Sequence, residues 1–188
     1  LKILNTIINN GINIIEIGMP FSDPMADGPT IQESSLRSIA NGTKINDVFE
    51  IVKKIRKLND EIPVILMGYY NSILNLGINN FTSKCSEVGV DGLIIVDLQP
   101  EEDSDLYKRS KESNIDLIRL ITPTTDENRL KTILNNASGF LYYVTITGIT
   151  GQNSADINHL RKSINTIKSS TTLPIVAGFG IKNRKDVE

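Results

Sequence analysis

Ile14-Ile15-Glu16-Ile17-Gly18-Met19-Pro20-Phe21-Ser22-Asp23-Pro24-Met25-Ala26-Asp27-Gly28-Pro29-Thr30 is the most informative stretch of this 188-residue chain. Its first five residues are β-branched and apolar except for Glu16 and Gly18, the pattern of a short parallel strand buried on both faces. The rest reads as a long loop carrying three of the chain's seven prolines, Pro20, Pro24 and Pro29. Each proline fixes one backbone angle, so the loop is stiff where most strand-to-helix connections are short. A stiff loop after a strand places side chains.

Similar apolar runs recur along the chain: VILMG at 64–68, GLIIV at 92–96, IDLIRLI at 115–121, FLYYV at 140–144 and PIVAG at 174–178. Amphipathic segments separate them. Val48, Ile51, Val52, Ile55 and Leu58 form one stripe, with Thr43 or Asn46 available as a cap, and Ile157, Leu160, Ile164 and Ile167 form another. The segment 101–113 carries acids early and Lys108, Arg109 and Lys111 late, as a helix dipole favours. The first residues, LKILNTIINNGINIIEIG, read as a helix running into a strand. Alternating strands and helices predict an α/β class with a parallel sheet, which leaves open a doubly wound sheet or part of an eight-stranded barrel. No GxGxxG or GxxxxGK[ST] follows the first strand, so the usual dinucleotide and nucleoside triphosphate signatures are missing.

Composition narrows the function classes. Hydrophobic residues make up 39% of the chain, enough for one packed core, and the chain is expected to form one domain over 1–188. Lys and Arg number 20 against 22 Asp and Glu, which gives no basic excess for nucleic acid. Cys85 is the only cysteine and His159 the only histidine, so neither a disulfide nor a structural zinc site is expected. Cys85 reads as a small packed hydrophobe and His159 as a solvated helix residue. No apolar run approaches the ~18 residues that span a bilayer. The expectation is a soluble, metal-free protein of a reducing compartment.

Glu16 interrupts an apolar strand, where a carboxylate is costly unless paired, protonated or facing a polar site. It is a candidate general acid or a salt-bridged residue at a barrel mouth. Asp27 is either a second carboxylate of the same cavity or a turn residue, since Asp-Gly is a common turn pair. The glycine-containing loops 145–151 and 178–181 could hold a phosphate with backbone amides, or could simply relieve tight turns. Tyr69, Tyr142 and Tyr143 stand at strand ends, where aromatics are usually core.

Read together, the run EIGMPFSDPMADGPTIQ, Leu66-Met67-Gly68-Tyr69-Tyr70-Asn71, Gly89-Val90-Asp91-Gly92, Val96-Asp97-Leu98, Gly148-Ile149-Thr150-Gly151 and Gly178-Phe179-Gly180-Ile181 resembles the tryptophan synthase alpha subunit. The resemblance implies a (β/α)8 TIM barrel, here incomplete: the first strand and the C-terminal strand region are expected to be missing, and the chain reads as the middle of such a barrel. It implies retro-aldol cleavage of indole-3-glycerol phosphate to indole and glyceraldehyde 3-phosphate. By motif position, Glu16 matches the acid/base and Asp27 the carboxylate that binds the indole N–H. Tyr69 and Tyr142 match residues lining the substrate, Thr150 and Gly151 the loop that closes over it, and Gly151, Phe179 and Gly180 the surroundings of its phosphate. Ser22, Asp23 and Pro24 match the contact with a beta subunit in an α2β2 tetramer. Pyridoxal phosphate (PLP) would belong to that partner, with no cofactor in this chain. Gln99 stands where the family commonly has proline. The implied setting is a bacterial cytoplasm or a plastid. The alternatives are a free-standing lyase of the same family and a non-catalytic scaffold for a beta subunit.

Overall fold

The computed structural model describes residues 2–145 and 157–178, with side chains from 2–145 and 161–178. Seven strands and eight helices are described there: α1 (Lys2–Asn9), β1 (Ile15–Gly18), α2 (Pro29–Ala40), α3 (Ile45–Leu58), β2 (Val64–Gly68), α4 (Tyr70–Leu76), α5 (Ile78–Val88), β3 (Gly92–Ile95), α6 (Ser104–Glu112), β4 (Asp116–Leu117), β5 (Arg119–Ile121), α7 (Glu127–Asn135), β6 (Leu141–Val144), α8 (Ile157–Lys168) and β7 (Ile175–Gly178). All pairings are parallel, in the orders β1-β2-β3-β4 and β5-β6-β7.

All six strand positions expected from the apolar runs are strands. The run 115–121 is divided at Ile118, because β4 pairs with β3 while β5 pairs with β6. The residues of each strand alternate between two cores. Ile15, Val64, Leu66, Leu93, Ile95 and Leu117 pack outward with Val48, Phe49, Val52, Ile55, Phe81 and Cys85 of the helices. Leu141, Tyr143 and Ile121 pack outward with Leu130, Ile133 and Ile167. The intervening residues Ile65, Ile94, Ile118 and Phe140, with Met67, Val96, Leu120, Tyr142 and Val176, form one inner cluster. Residues from β2 through β7 can meet on one side only if the sheet curls around them, so the strands form the wall of a barrel rather than a flat sheet.

Two helix starts differ from expectation. The helix expected over 101–113 begins at Ser104, because the N–H of Glu102 closes a turn on the carbonyl of Gln99 and Asp103 is drawn into the protein. The start of α3 is held by neither Thr43 nor Asn46: the Asp47 carboxylate accepts from the Lys44 N–H at 2.8 Å. Its stripe is buried at Val48, Val52 and Ile55, while Leu58 is exposed. Cys85 is fully buried, and burial pushes its thiol up to about 12. His159 falls on α8, and its side chain lies outside the described residues.

Candidate active site

Register settles which way Glu16 faces. Ile15 pairs with Val64 and Glu16 with Ile65, and residues paired across parallel strands share a face. Val64 belongs to the outer core and Ile65 to the inner one, so Glu16 points into the barrel. Its side chain still reaches solvent, since β1 is the edge strand of its sheet. Enough protein surrounds it for burial to raise its carboxyl above the usual carboxylate range. Tyr142, from β6, also faces inward. Burial and then the charge of Glu16 push its phenol up to about 12.

The loop leaving β1 is built on the end of β2. Met19 is buried and donates its N–H to the carbonyl of Met67 at 2.7 Å. Its side chain fills the space over Gly68, where a Cβ would stand 2.7 Å from the Met19 methyl. Phe21 then stacks on Tyr69 with ring centroids 5.1 Å apart. The buried Pro24 offers its carbonyl to the N–H of Asp27 at 3.1 Å, closing a turn.

That turn brings Asp27 to Tyr69. The Tyr69 hydroxyl accepts from the N–H of Ala26 at 3.0 Å and donates to the Asp27 carboxylate at 2.9 Å. Burial, then the bond to Asp27, raises the Tyr69 phenol far above its ordinary range, so it stays a donor. Asp27 thus closes a turn with its N–H and accepts from Tyr69 with its carboxylate. The carboxylate of Asp97, after β3, accepts from the N–H of Tyr70 at 2.8 Å and anchors the start of α4 beside Tyr69. Ser22 donates to the adjacent Asp23 on the exposed face of the loop. The structure therefore joins Asp27 to Tyr69 directly and sets Glu16 and Tyr142 both on the inner face of the wall. Thr150, Gly151, Phe179 and Gly180 lie outside the described residues.

Three contributors were not legible as site residues in the sequence: Phe21, the backbone of Ala26, and Gln32, whose side chain donates to the Asp27 carbonyl at 2.8 Å. Phe21 and Ala26 sit inside the quoted run, but only the fold shows that Tyr69 is their common partner. Gly178, on the strand beside that of Tyr142, makes room for its ring. A Cβ there would overlap the ring and hydroxyl of Tyr142, so glycine is required for Tyr142 to lie where it does. Among the described residues no cluster of His, Cys, Asp and Glu is placed to hold a metal ion, and no helix is long and apolar enough to cross a membrane.

Gln99, the departure from the family's usual proline, leaves a sound turn. Its carbonyl accepts from Glu102 at 3.0 Å, and its side chain is bonded by Arg129 of α7, which also pairs with Glu101.

Comparisons with known proteins agree with this architecture. The tryptophan synthase alpha chain family matches residues 1–188. The tryptophan synthase alpha chain of Zymomonas mobilis is 49% identical over 181 residues, which is 96% of this chain and 66% of that relative. The chain thus spans just under two thirds of that curated relative's length. Among solved structures, tryptophan synthase subunit alpha of Legionella pneumophila superposes with a TM-score of 0.86 at 36% identity, covering 97% of this chain and 67% of its own. A chain from the a2b2 complex of Pyrococcus furiosus superposes with a TM-score of 0.88 at 34% identity, covering 98% and 74%. These relatives share the curled parallel wall of a TIM barrel, and since the family match runs the whole length of the chain, the chain belongs to the tryptophan synthase alpha chain family.

Proposed function

We propose that the protein cleaves indole-3-glycerol phosphate to indole and glyceraldehyde 3-phosphate. The observation that carries the reading is the pairing of unlike carboxylates: an inward Glu16 whose proton is held more tightly than usual, and an Asp27 fixed by Tyr69 on the adjoining loop. The two tasks of the reaction need such a pair. Glu16 in its acid form gives a proton to indole C3, which interrupts the aromatic ring and places positive charge at nitrogen. Asp27 accepts the indole N–H and stabilises that charge. Glu16, now a carboxylate, takes the proton of the hydroxyl on the neighbouring glycerol carbon. The carbon-carbon bond breaks, its electron pair returns to the ring, and the hydroxyl carbon becomes the aldehyde. One proton is given and one is taken, so Glu16 ends as it began.

The remaining assignments follow the family motifs. Tyr69 and Tyr142 border the substrate, Thr150 and Gly151 belong to a loop closing over it, and Gly151, Phe179 and Gly180 surround its phosphate. The loop carrying Ser22, Asp23 and Pro24 forms the contact with a beta subunit in an α2β2 assembly, with Ser22 and Asp23 exposed on it and Pro24 buried beneath, and that partner carries PLP while this chain needs no cofactor. The setting is the cytoplasm of a bacterium or a plastid. The test is indole release from indole-3-glycerol phosphate by the full-length protein, alone and with a beta subunit. Activity lost in folded Glu16→Gln and Asp27→Asn by about 100-fold or more supports the lyase. Wild type inactive in both settings would favour the scaffold alternative.

A further inference from the structure

We propose that Gln32 is a positioning residue for Asp27, holding its backbone carbonyl while Tyr69 holds its carboxylate. This rests on the lyase reading above. Asp27 has three polar handles, and each is engaged. Its N–H donates to the carbonyl of Pro24 at 3.1 Å, its carboxylate accepts from Tyr69 at 2.9 Å, and its carbonyl accepts from Gln32 Nε2 at 2.8 Å. The first bond lies within the loop and the second comes from the end of β2. Only the third comes from α2, where Pro29 opens the helix and the Gln32 N–H is itself bonded to the carbonyl of Gly28 at 3.0 Å. Gln32 is therefore fixed at its own backbone before its side chain reaches back over the turn.

The bond matters because α2 buries none of its side chains and so is not locked to the wall by a packed face. Without Gln32 the Asp27 carbonyl loses its bond to α2, and the residue is held at its N–H by Pro24 and at its carboxylate by Tyr69, which leaves the carboxylate less tightly placed. A displacement of about 1 Å in a catalytic group can cost about 100-fold in rate. A glutamine is suited to this place: its amide donates to the carbonyl without adding a cation that would compete with an indole N–H for the Asp27 carboxylate. Gln32 acts through Asp27 and need not touch the substrate.

The test uses the full-length protein with its beta subunit and the variants Gln32→Met and Gln32→Glu, both of similar length and without the N–H donor. Indole release should show kcat lowered about tenfold with KM changed less than about twofold, since the carboxylate is needed most when charge develops. In an Asp27→Asn background the same substitutions should have little further effect, because groups acting as a unit are not additive. Amide hydrogen exchange at Asp27 and Gly28 should quicken in both variants. Unchanged kcat in a folded variant, or an equal loss in the Asp27→Asn background, overturns the proposal. If wild type releases no indole the lyase reading fails separately, and the exchange result alone decides the clamp: faster exchange supports it and unchanged exchange overturns it.

Discussion

The Tyr69 hydroxyl is shared by two points of one loop, accepting from the Ala26 N–H at 3.0 Å and donating to the Asp27 carboxylate at 2.9 Å. Tyr69 thereby turns the end of β2 into the support of the β1–α2 loop. Tyr69→Phe keeps the ring that stacks on Phe21 and removes only the hydroxyl. A hydrogen bond to a charged group contributes about 1.5–3 kcal/mol, so indole release should fall roughly tenfold or more while the protein stays folded. Because the phenol is held protonated far into the alkaline range, the ratio of variant to wild-type rate should be flat across neutral pH. Steady-state kinetics between pH 6 and pH 9, roughly the span over which most enzymes are assayed, checks both statements.

Glu16 gives a prediction with a sign. Burial raises its carboxyl in the folded state, so the folded protein holds that proton more tightly than the unfolded chain. Stability linked to Glu16 is therefore fully present below the unfolded carboxylate range and is lost as pH rises through the folded value. Gln has no proton to lose. Glu16→Gln should match wild type in stability under acid conditions and exceed it at neutral pH, while losing indole release. Denaturant unfolding across that pH range reads the difference, and a variant less stable than wild type at neutral pH would contradict the assigned burial.

Gly178→Ala should disturb the inner face around Tyr142 from the neighbouring strand β7. The added methyl would meet the Tyr142 ring, which is stiff and cannot step aside as the end of a flexible chain would. Overpacking of this kind costs about 1–3 kcal/mol. The expected result is a lower melting temperature together with reduced indole release, since Tyr142 is displaced on the inner face that Glu16 also occupies. By contrast, Gly68→Ala meets only the terminal methyl and stem of Met19, whose end can turn away, and should be milder.

How much of this was legible in the sequence follows from the range of each interaction. The apolar runs marked all six strand positions because burial on both faces is a local property of composition. The division of 115–121 was not legible, since it reflects which neighbours β4 and β5 find. Glu16 stood out as a charge in an apolar strand, and the proline-rich loop drew attention to Asp27. The Tyr69–Asp27 bond joins residues 42 apart, and no pattern within either segment announces it. Gln32 was hidden differently. It is an ordinary polar residue near a helix start, and only its direction, back toward the loop, gives it a role.

Arg119, the cation inside IDLIRLI, went unread in the sequence because its partner lies in another segment. It points outward from β5 and meets Asp103 just before α6, with side-chain exposures of 7% and 0%. Asp103 Oδ1 and Arg119 Nε find no further partner among the described residues. Such a pair is costly to break and inexpensive to replace. Asp103→Ala leaves the guanidinium buried without its countercharge and should destabilise the protein by about 3–5 kcal/mol. The double replacement Asp103→Leu with Arg119→Met removes both charges and should recover most of that loss. The pair faces the helix layer while Glu16 faces the barrel interior, so indole release per folded molecule should be the same in the double variant as in wild type. Thermal unfolding of the two variants beside wild type checks the stability ordering, and a double variant no more stable than Asp103→Ala would mean that the pair contributes a net attraction beyond its cost of burial.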